Sequence, residues 1–226
     1  MKLFKKIGLA VLITLGVYLG LGYFLHLFVF PEYEPDLTDY FNPGDVLPNK
    51  SGGYKQTVLM QEDGIVSTQL DMDPFSQGPP LHSHHTFDET FTALDKPVTL
   101  IVKNEVVVLA PGESVAAPAG VPRKMFNDTD EPVSMILANM PVQKLVYLNQ
   151  VYGYMNKHQD NLNMGKALLQ FSLITQYFDS DENEGPPVFV QNTLFFLLRP
   201  LARLLGYSSY FLFKTQLTIF RNLIGG

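Results

Sequence analysis

The chain has 226 residues, of which 46% are hydrophobic and 17% charged, so it can bury one ordinary core and has little room for two. It contains no cysteine, which excludes disulfides, thiolate metal ligands and cysteine nucleophiles. The net charge is −6, but all 22 acidic residues lie between positions 32 and 184, so the middle of the chain is strongly acidic. We therefore expect no nucleic-acid partner.

Residues 1–30 predict a single N-terminal transmembrane helix. From Ile7 to Phe30 the chain carries no formal charge apart from a histidine, and a helix of that length spans a hydrocarbon core of about 30 Å. A cleaved signal peptide is the alternative, but its apolar region should be shorter and end at small residues. Lysines 2, 5 and 6 precede the helix, so the positive-inside rule predicts a cytoplasmic N-terminus and a folded domain in the periplasm or cell exterior.

The anchor and the segment after it each have one further feature. Gly16 and Gly20 have the spacing that lets two membrane helices approach closely, which allows a homodimer, although glycine is common in membrane helices. Residues 31–53 are rich in Pro, Asp, Asn and Gly and predict a linker between the membrane and a domain that begins at Tyr54.

The region from 54 to 140 is typical of a mainly-β domain. Turn-forming pairs such as Asp63-Gly64 and Pro111-Gly112 separate short runs rich in Val, Thr, Ile, Leu and Phe. No βαβ alternation is visible, so sequential antiparallel pairing into a sandwich or barrel is expected. The predicted strands are 54–61, 65–72, 89–94, 97–103, 105–109, 113–117 and 133–140.

Helices are predicted after the strands. Residues 141–187 form a helical extension, with helices over about 142–156 and 162–178, followed by an acidic Gly-Pro linker. Residues 188–226 are basic and amphipathic, and their uncharged stretches are too short for a second crossing. This segment either lies in the headgroup region of the membrane or packs on the barrel. Its basic residues are Arg199, Arg203, Lys214 and Arg221.

A histidine cluster is the most informative part of the sequence. Along an extended strand, alternate side chains point to the same face, so His82 and His84 can converge while His85 points away. Glu89 can return to the same place after a short turn. Two neutral imidazoles and one carboxylate suit Fe(II) and related divalent metals. A solvated histidine-rich loop is the alternative.

Two motifs in this region resemble those of the cupin superfamily. The first family motif contains a His-x-His pair followed by a glutamate, which correspond to His82, His84 and Glu89. The second is Gly, five residues, Pro-x-Gly, two residues, His, three residues and Asn. It corresponds to the glycine at 112, the Pro-x-Gly at 118–120 and Asn127. The resemblance implies an antiparallel jelly-roll β-barrel of the RmlC-like kind over 54–140 and a divalent metal such as Fe, Mn, Ni or Zn.

The chain departs from the second motif at one residue that matters for function. Arg123 stands where the family has its fourth metal ligand, and a guanidinium stays protonated and binds no metal. Three ligands remain, and we expect Arg123 to act catalytically at the barrel mouth by orienting an anionic small-molecule substrate. The alternative is that the charge of Arg123 marks a site that has lost its metal. The resemblance implies a metal-dependent enzyme, dioxygenase-like or isomerase-like, and the alternative is a non-catalytic ligand-binding or envelope-associated module.

Overall fold

Two antiparallel β-sheets, built mostly from residues 46–141, form the centre of the computed structural model, which describes residues 2–31, 34–175, 181–182 and 185–210. The larger sheet has the order β1-β2-β3-β10-β5-β8 and the smaller one β11-β4-β9-β6-β7. In chain order the strands are β1 (Val46–Asn49), β2 (Tyr54–Glu62), β3 (Ile65–Met72), β4 (His82–Ser83), β5 (Glu89–Ala93), β6 (Val98–Val102), β7 (Glu105–Leu109), β8 (Ser114–Ala117), β9 (Arg123–Phe126), β10 (Val133–Pro141) and β11 (Asp181–Glu182).

The strands are paired in a nested order. β3 pairs with β10, β4 with β9, β5 with β8 and β6 with β7, so each pair encloses the next. The pairs alternate between the larger and the smaller sheet. This arrangement is a jelly roll, and it agrees with the mainly-β fold predicted for this part of the chain.

The predicted closed barrel is not observed. Among the described strands, the backbone pairing leaves two separate sheets, with β1 and β8 at the edges of one and β11 and β7 at the edges of the other. β4 is only two residues long, because Pro79 and Pro80 precede it and cannot donate backbone hydrogen bonds to a neighbouring strand. A strand this short cannot extend the pairing between the sheets.

The two sheets enclose a shared hydrophobic core. Inward side chains alternate with partly exposed ones along β3, β5 and β6, as expected for strands buried on one face. Phe91 from the larger sheet and Leu100 from the smaller sheet are fully buried in one cluster. Glu89 lies in the same inward row of β5 as Phe91 and Ala93. A carboxylate therefore enters a largely apolar interior, and its charge must be compensated there.

The seven strands predicted between 54 and 140 are observed within one residue of their predicted bounds. β2 and β3 are joined by a two-residue turn in which Asp63 and Gly64 both have positive φ (48° and 76°), the geometry of a type I′ hairpin.

The stretch 31–53, predicted to be a linker, contains residues of the folded domain. Tyr40 and Phe41 are buried in the core and β1 pairs with β2, so part of the stretch 31–53 belongs to the folded domain.

In the part of the chain that the structure describes, four α-helices lie outside the sheets: α1 (Lys2–Phe24), α2 (Val142–His158), α3 (Met164–Ile174) and α4 (Val188–Leu204). One π-helical turn extends α1 from Leu25 to Val29. The helical segment Leu3–Val29 has 27 residues and is long and apolar enough to cross a membrane, although a signal sequence would have the same properties. α2 and α3 correspond to the two helices predicted after the strands. Residues 176–178, Lys214 and Arg221 lie outside the described residues.

Candidate metal centre

Four structural elements meet in the interior at one end of the jelly roll and bring five side chains together. β4 and the turn after it carry His82 and His84, and β5 carries Glu89. β9 carries Arg123, which is the register partner of His82. The first turn of α2 carries Lys144, whose side chain enters the same space. The nested strand order thus joins residues that are far apart in sequence.

The three predicted metal ligands lie close to one another. One ligand atom from each of His82, His84 and Glu89 can be chosen so that all three fall within 4.8 Å. His84 Nε2 is 3.5 Å from Glu89 Oε2, and the two imidazole ring centroids are 4.9 Å apart. His84 and Glu89 are fully buried, whereas His82 is partly exposed. The triad therefore has one side that a ligand can approach.

Neighbouring groups hold the two imidazole rings in place. His82 Nδ1 lies 2.8 Å from the carbonyl oxygen of Pro80. A carbonyl only accepts, so His82 must carry its proton on Nδ1, and Nε2 keeps the lone pair that a metal needs. Phe87 stacks on the His84 ring with centroids 4.5 Å apart and planes 19° from parallel.

Lys144 is the main feature of this site that sequence reasoning missed. Its ammonium donates a hydrogen bond to Glu89 Oε1 and lies 5.5 Å from the centroid of the Phe87 ring. The side chain is 5% exposed, which is rare for lysine unless it is paired. The available signal was its spacing, because Lys144, Leu148 and Tyr152 are four residues apart and so share one face of α2.

Arg123 is buried inside the domain and does not stand at the mouth of the site. Nη2 donates to the carbonyl oxygens of Ala117 and Pro118 at 3.1 and 2.6 Å. Nη1 lies 3.9 Å from Glu89 Oε2, so the guanidinium places a second positive charge, besides that of Lys144, near the carboxylate. Two of its contacts are therefore structural, because they hold the loop that follows β8. His85 and Asp88 are exposed, and the Asp88 carboxylate accepts the backbone N–H of Ala119 at 2.8 Å.

The buried charges set the protonation of the site. Burial alone would raise the pKa of Glu89, but the Lys144 ammonium and the adjacent His84 imidazole hold this pKa well below its usual range. Burial lowers the pKa of His82 to about 3, and His84 and the Lys144 ammonium act in the same direction. Burial also lowers the pKa of His84. At neutral pH the site therefore consists of two neutral imidazoles and one carboxylate, the forms that coordinate metals.

A small cleft, open to solvent, lies beside this group. His82 and Lys144 form part of its wall, together with Gln56 and Tyr152, whose side chains hydrogen-bond each other at 3.4 Å. Apolar residues line the remainder. An apolar wall with a few polar groups is typical of a site for a small molecule.

The jelly-roll topology and the group of two histidines and a glutamate define a β-domain with a candidate metal site. Residues 70–139, under a third of the chain, match the family model described as "Cupin domain". The match extends from β3 to β10 and includes all three residues of the triad. Both the match and the strand topology support a cupin domain in this chain. No curated protein matches the sequence.

Several solved structures align with less than half of the chain. A sugar phosphate isomerase of the cupin superfamily from Silicibacter pomeroyi is 20% identical over 38% of this chain, with a TM-score of 0.34, and the alignment spans 58% of that protein. An RmlC-like cupin from Shewanella frigidimarina is 18% identical over 39% of this chain and 78% of its own, with a TM-score of 0.34. A Thermus thermophilus protein is 24% identical over 48% of this chain and 98% of its own, with a TM-score of 0.37.

The Glu89–Lys144 pair should contribute strongly to stability in the metal-free protein. Glu89→Gln leaves the charges of Lys144 and Arg123 buried without their counter-charge, so we expect a loss of about 3–5 kcal/mol in the free energy of unfolding. Adding Lys144→Met to this variant should recover part of that loss. Denaturant unfolding of the full chain in detergent with a chelator, for both single variants and the double variant, measures the coupling. Additive effects would contradict a direct interaction between the two side chains.

Stability of the metal-free protein should also depend on pH through His82. Its pKa is about 3 in the folded state and about 6.5 in the unfolded chain, so between these values the unfolded chain binds more protons. The contribution of neutral His82 to the free energy of unfolding is therefore complete above pH 6.5 and is lost as the pH falls towards 3. This free energy then changes by at most about 1.4 kcal/mol per pH unit. His82→Gln should flatten the pH dependence of the unfolding free energy between pH 6.5 and 5. Equal slopes in the wild-type protein and the variant would refute this assignment.

Proposed function

We propose that this chain is a membrane-anchored cupin-domain protein that binds a divalent metal through His82, His84 and Glu89 and acts on a small molecule. The observation that carries the proposal is the convergence of two neutral imidazoles and one carboxylate within 4.8 Å, beside a pocket. This donor set suits Fe(II), Mn(II), Ni(II) or Zn(II) and leaves coordination positions open.

The residues fit such a metal provided that Lys144 leaves the Glu89 carboxylate. In the described structure the Lys144 ammonium contacts Glu89 Oε1, and Arg123 Nη1 lies 3.9 Å from Glu89 Oε2. Because the imidazoles are neutral, the charges of Lys144 and Arg123 exceed that of Glu89, and the site has a net positive charge. A divalent cation would therefore be repelled while both cationic side chains stay in place. Coordination through Oε1 therefore requires Lys144 to leave that oxygen, whereas the two histidines need no rearrangement of charge.

The chemistry follows from these positions. A bound metal would supply a Lewis acid or an oxygen-activating centre. Pro80 fixes the tautomer of His82, and Phe87 orients His84. A displaced Lys144 would place its ammonium in the pocket, where an anionic group of a substrate could bind it. We predicted this role for Arg123, but the burial and backbone contacts of that residue support Lys144 as the group that meets an anion. A dioxygenase-like or an isomerase-like reaction is compatible with this arrangement.

A non-catalytic binding module is the second candidate, and Lys144 is the observation that favours it. A buried carboxylate that already has an ammonium partner needs no metal for charge balance. In this alternative, the pocket would bind a small molecule with the Glu89–Lys144 pair intact.

Metal content separates the two candidates. We expect the full chain, purified in detergent and analysed by mass spectrometry for metals, to contain a near-stoichiometric divalent transition metal that His84→Ala abolishes. His85→Ala is the matched control, because it removes the adjacent exposed histidine and should leave the metal in place. A well-folded wild-type protein that contains no metal and cannot be reloaded would favour the binding module.

Lys144→Met tests the competition for Glu89 in the same experiment. Removing the ammonium should raise the affinity for the metal by at least about tenfold, since tenfold corresponds to only about 1.4 kcal/mol and a buried charge of the same sign costs more. Metal titrations of chelator-treated protein give this value. An unchanged or weaker affinity would mean that Lys144 does not compete with the metal.

We also propose that α1 anchors the chain, with a cytoplasmic N-terminus and the cupin domain in the periplasm or cell exterior. The length and composition of Leu3–Val29 support an anchor, and the preceding lysines support the orientation. A homodimer, a small-molecule ligand and the lack of a nucleic-acid partner remain parts of this proposal. A topology reporter inserted after Lys50 should be active only on the outer side of the membrane, and cytoplasmic activity would reverse the orientation.

A further inference from the structure

Helix α4 has an unusual distribution of side chains, because its outward residues are mostly apolar. Phe189 is 72% exposed, Leu204 is 51% exposed and Phe196 is 44% exposed. Val190, Leu194 and Leu201 are exposed by about the same amount as Phe196. Asn192 and Thr193 interrupt this surface, and the Thr193 hydroxyl donates to the carbonyl of Phe189 at 2.6 Å. A helix at a protein–water boundary should show the opposite pattern.

The two arginines of α4 face the protein. Arg199 Nε donates to the carbonyl of Ser172 in α3 at 2.9 Å. Arg203 Nη1 donates to the carbonyl of Tyr207 at 2.9 Å, and Nη2 donates to the carbonyl of Phe30, just after the π-helical turn that extends α1. The sequence predicted that these charges would meet lipid headgroups or the barrel. They instead join α4 to α3 and to the chain segment after α1.

α4 packs against the C-terminal half of α1 through contacts that fit closely. Pro200 has no N–H, so it removes the helical hydrogen-bond partner of the Phe196 carbonyl, and the Tyr23 hydroxyl of α1 donates to that carbonyl at 3.0 Å. A Cβ on Gly22 would lie 2.4 Å from Pro200 Cβ, so only glycine allows this approach. Gly16 and Gly20 meet nothing within 4 Å, so among the described residues Gly22 is the α1 glycine that contacts another helix.

The apolar surfaces of the two helices are therefore continuous. α1 is exposed along most of its length and has the composition of a membrane span. α4 lies against its second half, and its outward side chains extend the same surface. Exposing the combined apolar surface of α1 and α4 to water would be unfavourable. In lipid it would be favourable, because helices that lie in the membrane interface bury their apolar face at the boundary of headgroups and acyl chains.

We propose that α4 is a second membrane-bound element, an interfacial helix whose outward apolar side chains contact lipid acyl chains beside α1. It would contact the bilayer with its apolar residues, while its arginines bind the protein. This inference rests on the proposed membrane anchor. It implies that the cupin domain lies close to the bilayer surface, because α3 packs on α4 and α2 packs on the larger sheet.

The lack of cysteine allows a direct test with single-cysteine variants of the full chain. We would label Phe189→Cys and Leu194→Cys with an environment-sensitive fluorophore in liposomes, and quench separately with doxyl-labelled lipid and with aqueous iodide. Leu12→Cys in α1 reports on the anchor, and Val108→Cys, 60% exposed on β7, reports on water. The proposal predicts that doxyl lipid quenches the labels at 189, 194 and 12 and that iodide does not, with the reverse at 108.

The outcomes separate the two hypotheses. If doxyl lipid quenches Leu12→Cys while iodide quenches both α4 labels, the anchor stands and the inference about α4 fails. If iodide quenches Leu12→Cys as well, the membrane anchor fails and the inference fails with it. If the α4 labels are protected from both quenchers and Leu194→Cys forms disulfide-linked dimers, a second copy of the chain covers α4, and the lipid proposal is overturned.

Discussion

The buried carboxylate of Glu89 is the constraint on which the rest of the site depends. It lies in the inward row of β5, where an isolated charge would cost several kcal/mol, so cationic and hydrogen-bonding groups must surround it. Lys144 reaches it from α2, Arg123 from β9 and His84 from the turn after β4. The nested strand order makes this arrangement possible, because it brings β4, β5 and β9 to one end of the domain.

Arg123 stands where the cupin motif has a histidine, and the difference in charge between the two side chains matters for the site. A neutral imidazole would add a ligand without adding charge, whereas a guanidinium adds a positive charge and no lone pair. Arg123 and Lys144 together outweigh Glu89, so a metal must compete with at least one cation for the carboxylate. The backbone carbonyls of Ala117 and Pro118 fix Arg123, but Lys144 has a flexible side chain at the edge of a pocket. Lys144 is therefore the cation that can move.

Local patterns predicted much of the fold and part of the site. The seven long strands follow from alternating apolar residues and turn-forming pairs, and the two family motifs identify His82, His84 and Glu89. β4 was missed because prolines limit it to two residues, and β1 because the polar composition around it is typical of a linker. The spacing of Lys144, Leu148 and Tyr152 places them on one face of α2 but does not show that this face buries the lysine, since a lysine in the first turn of a helix is normally solvated. Its burial depends on where α2 docks, which is a long-range property.

The same helices connect the site to the membrane-facing surface by continuous contacts. Lys144 lies at the start of α2, α2 contacts α3, and α3 packs along α4, which in turn packs on α1. Contact alone does not couple two sites, because coupling requires an element with two arrangements that both sites influence. In the proposed function Lys144 would supply such an element, because its ammonium, which contacts Glu89 Oε1 in the structure, would leave that oxygen when a metal binds. Any movement that shifts the first turn of α2 relative to β5 would change the balance between these two positions. α2 is held at both ends, because Asn156 donates to the carbonyl of Pro48 at 2.7 Å and the N–H of Val142, in the buried first turn, donates to the carbonyl of Gly64 at 2.8 Å.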